Sequence, residues 1–394
     1  MQDKIPLSVP NFQGNEELYV SRAVREGWVS TGGAYITQFE EKIADFLGVN
    51  QAVACQSGTA ALHLALIECG VLPGDCVIVP TLTFIAAVNP VKYQFAEPIF
   101  MDCDDGLCMD ADKLKAYCEQ ECEYSQGVLR VRKTGQAIRA VVVVHVFGNT
   151  ANMESIMQTA KKYGLSVIED ATEALGTKFT TGIYQGKYAG TIGDFGAFSF
   201  NGNKIITTGG GGMIVAADEK KLAHIQYLST QAKDDPLFYI HKEVGYNYRM
   251  TNVQAAMGVA QMEELREFIR RKRENYSYYK ELFSDCQNLR LLDFREGTEA
   301  NCWFYSLVLE LENKTVKELV EELGEKGVMT RPIWGLIHEQ LPYLDAITYK
   351  IEKAEEYAGK IINIPCSTQI TKEEMNYTAE TILKLCQSNR ANHS

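Results

Sequence analysis

No stretch of this 394-residue sequence reaches the roughly 18 consecutive apolar residues that a membrane helix needs. Its opening, MQDKIPLSVPNFQGNEE, lacks the apolar run of a secretory leader. Positive charge is also scarce: 39 Lys and Arg stand against 51 Asp and Glu, a net charge of −12. Nucleic acids and anionic membranes attract basic surfaces, so neither is expected as a partner. A small anionic ligand stays admissible, because a local group of Arg and Lys overrides the global sign within one pocket. The 11 cysteines include no CxxC pair. Neither Cys103 with Cys108 nor Cys118 with Cys122 has a histidine close by in sequence. That spacing argues against zinc and for free, buried or half-buried thiols in a reducing, cytoplasmic compartment.

What the sequence does have is length and alternation. A chain this long is expected to form two folding units, and we place the boundary at 252: a large unit over 1–252 and a smaller one over 253–394. In the first 215 residues apolar strands and amphipathic helices take turns. QAVACQSG leads into the helical TAALHLALIECG, CVIVPTLTF into AAVNPVKYQFA, and AVVVVHVFG into NMESIMQTAKKYG and then LSVIEDAT. Runs of β-branched residues without alternation are strands buried on both faces, so the fold class is α/β with a mostly parallel sheet. GDFGAFSF and GGMIVAAD are two further short strands. From 253 the pattern slows: a long helix through VQAAMGVAQMEELREFIRRKRENYSYYKELF, the strand CWFYSLVLEL and the helix VKELVEELGEKG form a smaller α+β unit. The charged stretch 118–139 is expected as an insertion or surface loop. There is no internal repeat.

Ligands of open α/β sheets bind beyond the carboxyl ends of the strands, and three features fall there. Gln56-Ser57-Gly58-Thr59 joins a strand to a helix start, which suits either a phosphate or simple capping by Ser57 or Thr59. Glu169-Asp170 ends a buried strand. Carboxylates there need a cation or hydrogen-bond donors, either one cationic ring nitrogen or the N–H groups of the next helix turn. The third is Lys204, in SFNGNKIITTGGGG. It is no Walker lysine, because its glycines follow it instead of preceding it. An amine packed between buried strands is costly to charge and is therefore suited to nucleophilic chemistry. Together, an amine for an aldehyde, a helix N-terminus for a phosphate and a carboxylate for a ring nitrogen describe pyridoxal 5′-phosphate (PLP).

Seven blocks, in order, carry a resemblance that runs almost end to end: GWVSTGGAYITQFEEKIADFLG (27–48), SGTAALHLAL (57–66), IVPTLTFIAAVNPV (78–91), VIEDATEALGTKF (167–179), GDFGAFSFNGNKIITTGGGGMIV (193–215), GYNYRMTNVQAAMG (245–258) and TRPIWGLIHEQLPY (330–343). The chain resembles the DegT/DnrJ/EryC1/StrS family of sugar aminotransferases, which have the aspartate aminotransferase-like fold (fold type I). The resemblance implies Lys204 as the lysine joined to PLP and Asp170 against the pyridine nitrogen. It implies Ser199, Gly58 and Thr59 at the phosphate and Phe84 stacked on the ring. Glu173 stands where many relatives carry Gln, near the cofactor's phenolic oxygen or the reacting amine. Asn247 resembles the residue that reaches the phosphate of a neighbouring subunit, which implies a homodimer with shared sites. Arg249 is expected to be structural or interfacial, and His63 and His145 structural.

Within the family, IPLSVPNFQGNE, PTLTFIAAVNP and TRPIWGLIHEQLPY look most like the 4-aminotransferases of legionaminic acid-type and related bacterial surface-glycan pathways. That likeness implies a UDP- or GDP-linked 4-keto-6-deoxy-N-acetylhexosamine as substrate and L-glutamate as amino donor. Trp28, Ser30, Arg331, Trp334 and His338 are the candidate substrate contacts, since aromatic and cationic groups suit sugar faces and diphosphates. No metal is expected. A 3-aminotransferase would have the same cofactor site. A dehydratase relative would have histidine in place of Lys204, and a silent relative would lose Lys204 or Asp170.

Overall fold

The structure is a computed structural model that describes residues 4–235, 237–311 and 314–387. Its centre is a ten-stranded sheet. Val53–Cys55, Gly212–Ala216, Phe195–Ser199, Ser166–Asp170, Ala137–Val144, Cys76–Pro80, Glu97–Met101 and Ile347–Tyr349 lie side by side in that order. Gly212–Ala216 runs antiparallel to both neighbours, and every later pairing in the series is parallel. The strands without polar alternation, such as Ala137–Val144 and Cys76–Pro80, are covered on both faces, as their β-branched runs require. The fold is thus the expected α/β one with a mostly parallel sheet.

Local signals set the helix ends. Ser57 caps Gly58–Glu68, and Asn152 caps Met153–Tyr163, which stops at the left-handed Gly164. Asn252–Leu282, 31 residues and about 46 Å long, starts from a Thr251/Gln254 capping box. It packs along Glu16–Arg25 and Ala34–Leu47, and its Lys272 carbonyl accepts the Tyr305 hydroxyl of the second sheet at 2.8 Å. That sheet is antiparallel, with the order Leu289–Leu291, Tyr305–Leu309, Ile361–Ile364 and Arg331–Pro332. Helices Val316–Glu325 and Lys372–Gln387 pack beside each other in the same region of the molecule.

Two expectations need correcting. AAVNPVKYQFA is no single helix: a 3₁₀ turn, Ile85–Ala87, precedes a short helix, Asn89–Tyr93, whose start carries Pro90. The stretch 118–139 is no loop either. After the helix Ala111–Gln120 it folds as a hairpin, Cys122–Ser125 with Val128–Val131, and Leu129 pairs with Ile138 at the start of the central strand Ala137–Val144. Leu129 and Val131 point inward while Arg130 points out, a period of two that the surrounding charge conceals. The turn is Gln126-Gly127, both with positive φ.

Chain connections cross the expected boundary at 252. Ile5 bridges to Val328, Val9 N–H donates to Ser367 Oγ at 3.1 Å, and Ile347–Tyr349 adds to the large sheet. The division at 252 therefore stays a proposal about folding units. All 11 cysteines are free thiols, eight of them buried, and among the described residues no helix is long and apolar enough to cross a membrane.

Arg249 is a fold residue. Its guanidinium grips Glu40 through Nη1–Oε1 at 2.5 Å and Nη2–Oε2 at 3.2 Å, and Glu40 Oε1 also takes the Ala54 N–H. Both side chains are nearly buried, so removing one partner strands a charge. Arg249→Met is expected to cost about 3 kcal/mol in urea unfolding of the full chain. A loss below about 1 kcal/mol would show that the pair holds nothing together.

Candidate active site

The carboxyl ends of the parallel strands open into a cavity of about 360 Å³. Its lining includes Gly58, Thr59, Phe84, Asp170, Glu173, Ser199, Lys204, Trp303 and Trp334. Strand geometry separates the adjacent carboxylates Glu169 and Asp170 by sending them to opposite faces. Glu169 turns away and is fully engaged: it accepts from the N–H groups of Gly190, Ile192 and Gly193 at 2.6–2.9 Å, and its Oε2 lies 2.8 Å from His145 Nε2. Ala151 N–H donates to His145 Nδ1, so the His145 proton sits on Nε2 and goes to Glu169. Asp170 faces the cavity. The structure shows one backbone bond to it, from Thr172 N–H to Oδ1 at 3.1 Å, and burial pushes its carboxyl above the usual range. A cationic ring N–H would meet a receptive acceptor there.

Glu173 and Lys204 meet across the same space, with Lys204 Nζ 3.5 Å from Glu173 Oε1. Phe147 N–H donates to Glu173 Oε2 at 2.8 Å, from a residue held at φ 56°. Burial raises the Glu173 carboxyl to about 7, and the Lys204 charge pulls it back. Lys204 Nζ also lies over the Trp303 ring, 4.2 Å from its centroid.

The anion end is built from glycine. The Ser57 hydroxyl accepts the Ala60 N–H, while Gly58 and Thr59 line the cavity with first-turn N–H groups that the helix's own ladder leaves over. A Cβ on Gly58 would lie 2.8 Å from Thr172 Cγ2 and 3.1 Å from Ser199 Cβ, so a side chain here would fill the cradle. Gly212 matters for another reason: a Cβ on it would lie 2.4 Å from the Ser57 carbonyl carbon. The glycine run lets the Gly212–Ala216 strand press against the cap of the cradle helix. Carboxylate, amine, bare helix N-terminus and an aromatic at the mouth (Phe84, 54% exposed) fit PLP group by group.

Several expected residues lie elsewhere. Asn247 is exposed and bridges to Thr230, outside its own chain's cavity. Trp28, 62% exposed, lines a separate groove with Arg22 and Tyr35, and Ser30 accepts the Asn252 N–H through its carbonyl. Arg331 is exposed, with its guanidinium on the Thr330 carbonyl. His338 Nδ1 pairs with Thr81 Oγ1 at 2.7 Å, which anchors the loop after Trp334. Of the five candidate substrate contacts, only Trp334 lines the cavity; its ring stacks near Phe147 (4.5 Å between centroids) and Phe84 (6.5 Å). His63 is buried between Tyr248 and Gln94, and burial lowers it to about 4.

Sequence reasoning missed Trp303 and Asn301. Buried Asn301 donates to the carbonyls of Glu173 and Leu175, accepts the Trp303 N–H, and its own N–H goes to Thr177 Oγ1. No local pattern marks either residue, because each acts on partners more than 95 residues away in the chain.

This fold and this cavity define a PLP-dependent transferase of fold type I. The chain belongs to the DegT/DnrJ/EryC1/StrS aminotransferase family, which it matches over residues 10–383, and it is a PLP-dependent aminotransferase. It is 36% identical over 380 residues to a GDP-perosamine synthase of Escherichia coli O157:H7, covering 96% of this chain and 97% of that protein. It is 27% identical over 385 residues to the UDP-4-amino-4,6-dideoxy-N-acetyl-beta-L-altrosamine transaminase of Campylobacter jejuni, with 97% of each covered. The crystal structure of the aminotransferase TlmJ from Streptoalloteichus hindustanus superposes with a TM-score of 0.86 at 25% identity, covering 96% of this chain and 98% of that one.

Two measurements follow from this geometry. The folded Glu173 carboxyl titrates near 7 against a usual 4.5, so the folded chain holds an extra proton between those values and loses stability as pH rises through them. Glu173→Gln keeps an acceptor for Phe147 N–H but buries no charge. In cofactor-free protein, the variant should gain up to about 3 kcal/mol on wild type between pH 5 and pH 8 by urea unfolding; parallel curves would refute the shift. Gly212→Ala should lower both stability and cofactor retention, by about 1–3 kcal/mol in unfolding. Gly209→Ala, with φ 77° and open space around it, should cost only about 1 kcal/mol and leave cofactor retention intact. Equal retention in the two variants would separate Gly212 from the cradle.

Proposed function

We propose that this chain transfers the amino group of L-glutamate to the C4 ketone of a UDP- or GDP-linked 4-keto-6-deoxy hexosamine-type sugar, for bacterial surface-glycan or nonulosonic acid synthesis. The observation that carries the reading is the convergence of Lys204, Glu173 and Asp170 on one cavity beside a bare helix N-terminus. The names of the two relatives, one GDP-linked and one UDP-linked with nitrogen at C4, support the substrate class. The presence of both Lys204 and Asp170 counts against a silent family member.

Bound PLP supplies an electron sink for bond cleavage at the carbon that bears nitrogen. Lys204 would be the amine that holds its aldehyde and, as a free amine, the base and acid that moves one proton. Asp170 keeps the ring nitrogen protonated. Gly58, Thr59 and Ser199 would hold the phosphate through N–H and hydroxyl donors, and Phe84 would cover the ring. Glu173, 3.5 Å from Lys204 Nζ, would orient that amine. Trp334 bounds the sugar side, where Trp28, Ser30, Arg331 and His338 are assigned supporting contacts through the assembled enzyme.

The assembled form is a homodimer with shared sites. Its support is Asn247, exposed outside its own cavity, on a segment that follows the exposed Leu237, Phe238, Tyr239 and Val244. The free thiols favour the cytoplasm as the compartment.

Borohydride reduction should trap the cofactor on Lys204, and Lys204→Ala should abolish the adduct and amino transfer by at least about 10³-fold. UDP- and GDP-linked 4-keto and 3-keto sugars are then offered with glutamate, and the product is read by NMR. Nitrogen at C3 would overturn the position while leaving the cofactor assignment standing. Mixing Lys204→Ala with Asn247→Ala subunits should restore activity through sites built from both chains, and no recovery would refute the shared site.

A further inference from the structure

Lys204 has two resting partners in one turnover. In the first half it is bonded to the cofactor, and in the second it is free. Glutamate and one water enter, the donor nitrogen stays on the cofactor, 2-oxoglutarate leaves, and the lysine is released as an amine that takes up a proton. A released ammonium in a nearly closed cavity needs a receptor, because an unpaired buried charge is costly. With its side chain only 12% exposed, Lys204 has such a receptor in the structure: Nζ lies 4.2 Å from the Trp303 ring centroid and 3.5 Å from Glu173 Oε1.

Trp303 is built to keep that position. Its indole N–H donates to the Asn203 carbonyl at 2.7 Å, so the ring is tied to the residue beside the lysine it faces. Its backbone N–H goes to Asn301 Oδ1 at 2.9 Å, and its carbonyl accepts from Lys272 Nζ at 2.7 Å. Phe304 stacks on it at 3.9 Å and 8°. The preceding Cys302 holds φ 53°, a conformation that costs free energy and persists only where its surroundings enforce it. Asn301 connects the ring to the Glu173 backbone, so both halves of the receptor hang from one side chain.

We propose that Trp303, a positioning residue, receives the released Lys204 ammonium on its ring face and thereby stabilises the aminated half of the catalytic cycle. The inference rests on Lys204 as the amine that holds PLP. It concerns the balance between the two cofactor forms and not the chemistry of either.

The test is an equilibrium. Holoenzyme is poised with fixed ratios of glutamate to 2-oxoglutarate, and the fractions of the two forms are read from their absorption bands. A cation–π contact of about 0.5–2 kcal/mol corresponds to about 2- to 30-fold in that equilibrium constant. Trp303→Leu should shift it toward the lysine-bonded form by that factor, and Trp303→Phe, with a weaker ring face, by less. Trp303→Met replaces the leucine variant if the latter does not fold. In cofactor-free chains, reductive methylation of Lys204, followed by mass spectrometry, should speed up in the same order. Equal shifts in the ring and non-ring variants would make Trp303 a packing residue, and no shift would remove it; either overturns the proposal. If borohydride traps the cofactor on another residue, it is the assignment of Lys204 that fails.

Discussion

Three ionisable groups share one small cavity, and none can stay charged there alone. Asp170, Glu173 and Lys204 are removed from bulk water at the ends of buried strands, where each unpaired charge would cost several kcal/mol. Much of the surrounding architecture answers that constraint. The sheet sends Glu169 to the far face and surrounds it with donors, so the cavity carries one strand-end carboxylate instead of two. Phe147 gives its N–H to Glu173, and Trp303 gives its ring face to Lys204. The negative molecule as a whole is irrelevant at this scale; the balance of charge is local.

The constraint explains why residues from the second sheet's side of the molecule belong to the site. Asn301, Cys302 and Trp303 lie one residue before the strand Tyr305–Leu309, and Asn301 reaches back to Glu173 and Leu175. Thr177 Oγ1 accepts the Asn301 N–H and donates to the Gly148 carbonyl, which joins the turn after Ala137–Val144 to the same knot. Two strained backbone positions, Phe147 and Cys302, bracket it. Such positions persist only where their surroundings enforce them, and here both lie beside aromatic rings of the site.

Much of this was legible in the sequence. Unalternating β-branched runs gave away the parallel sheet, and the placement of Gly58, Asp170 and Lys204 at element ends gave away the cavity. What stayed hidden has a common cause. The hairpin over 122–131 shows its period-two pattern only in the four residues Val128–Val131, beneath surface charge. Trp303 and Asn301 act at a distance in sequence that no local periodicity spans. Asn247, Trp28 and Ser30 were assigned by resemblance alone, and in the single chain they lie outside the cavity.

The pairing of Ile5 with Val328 bears on motion. The chain passes between its two sheets early, where the first residues lie along the second; again along the 31-residue helix; and once more where Ile347–Tyr349 returns to the first. A door hung on one pin swings freely, whereas one fastened along several edges does not. Turning one sheet against the other would have to shear the Ile5 bridge, the Ile347–Tyr349 ladder and the Asn301 knot together. The way into the cavity is therefore bounded by the side chains at its mouth, Phe84 and Trp334, on a frame fastened at several edges.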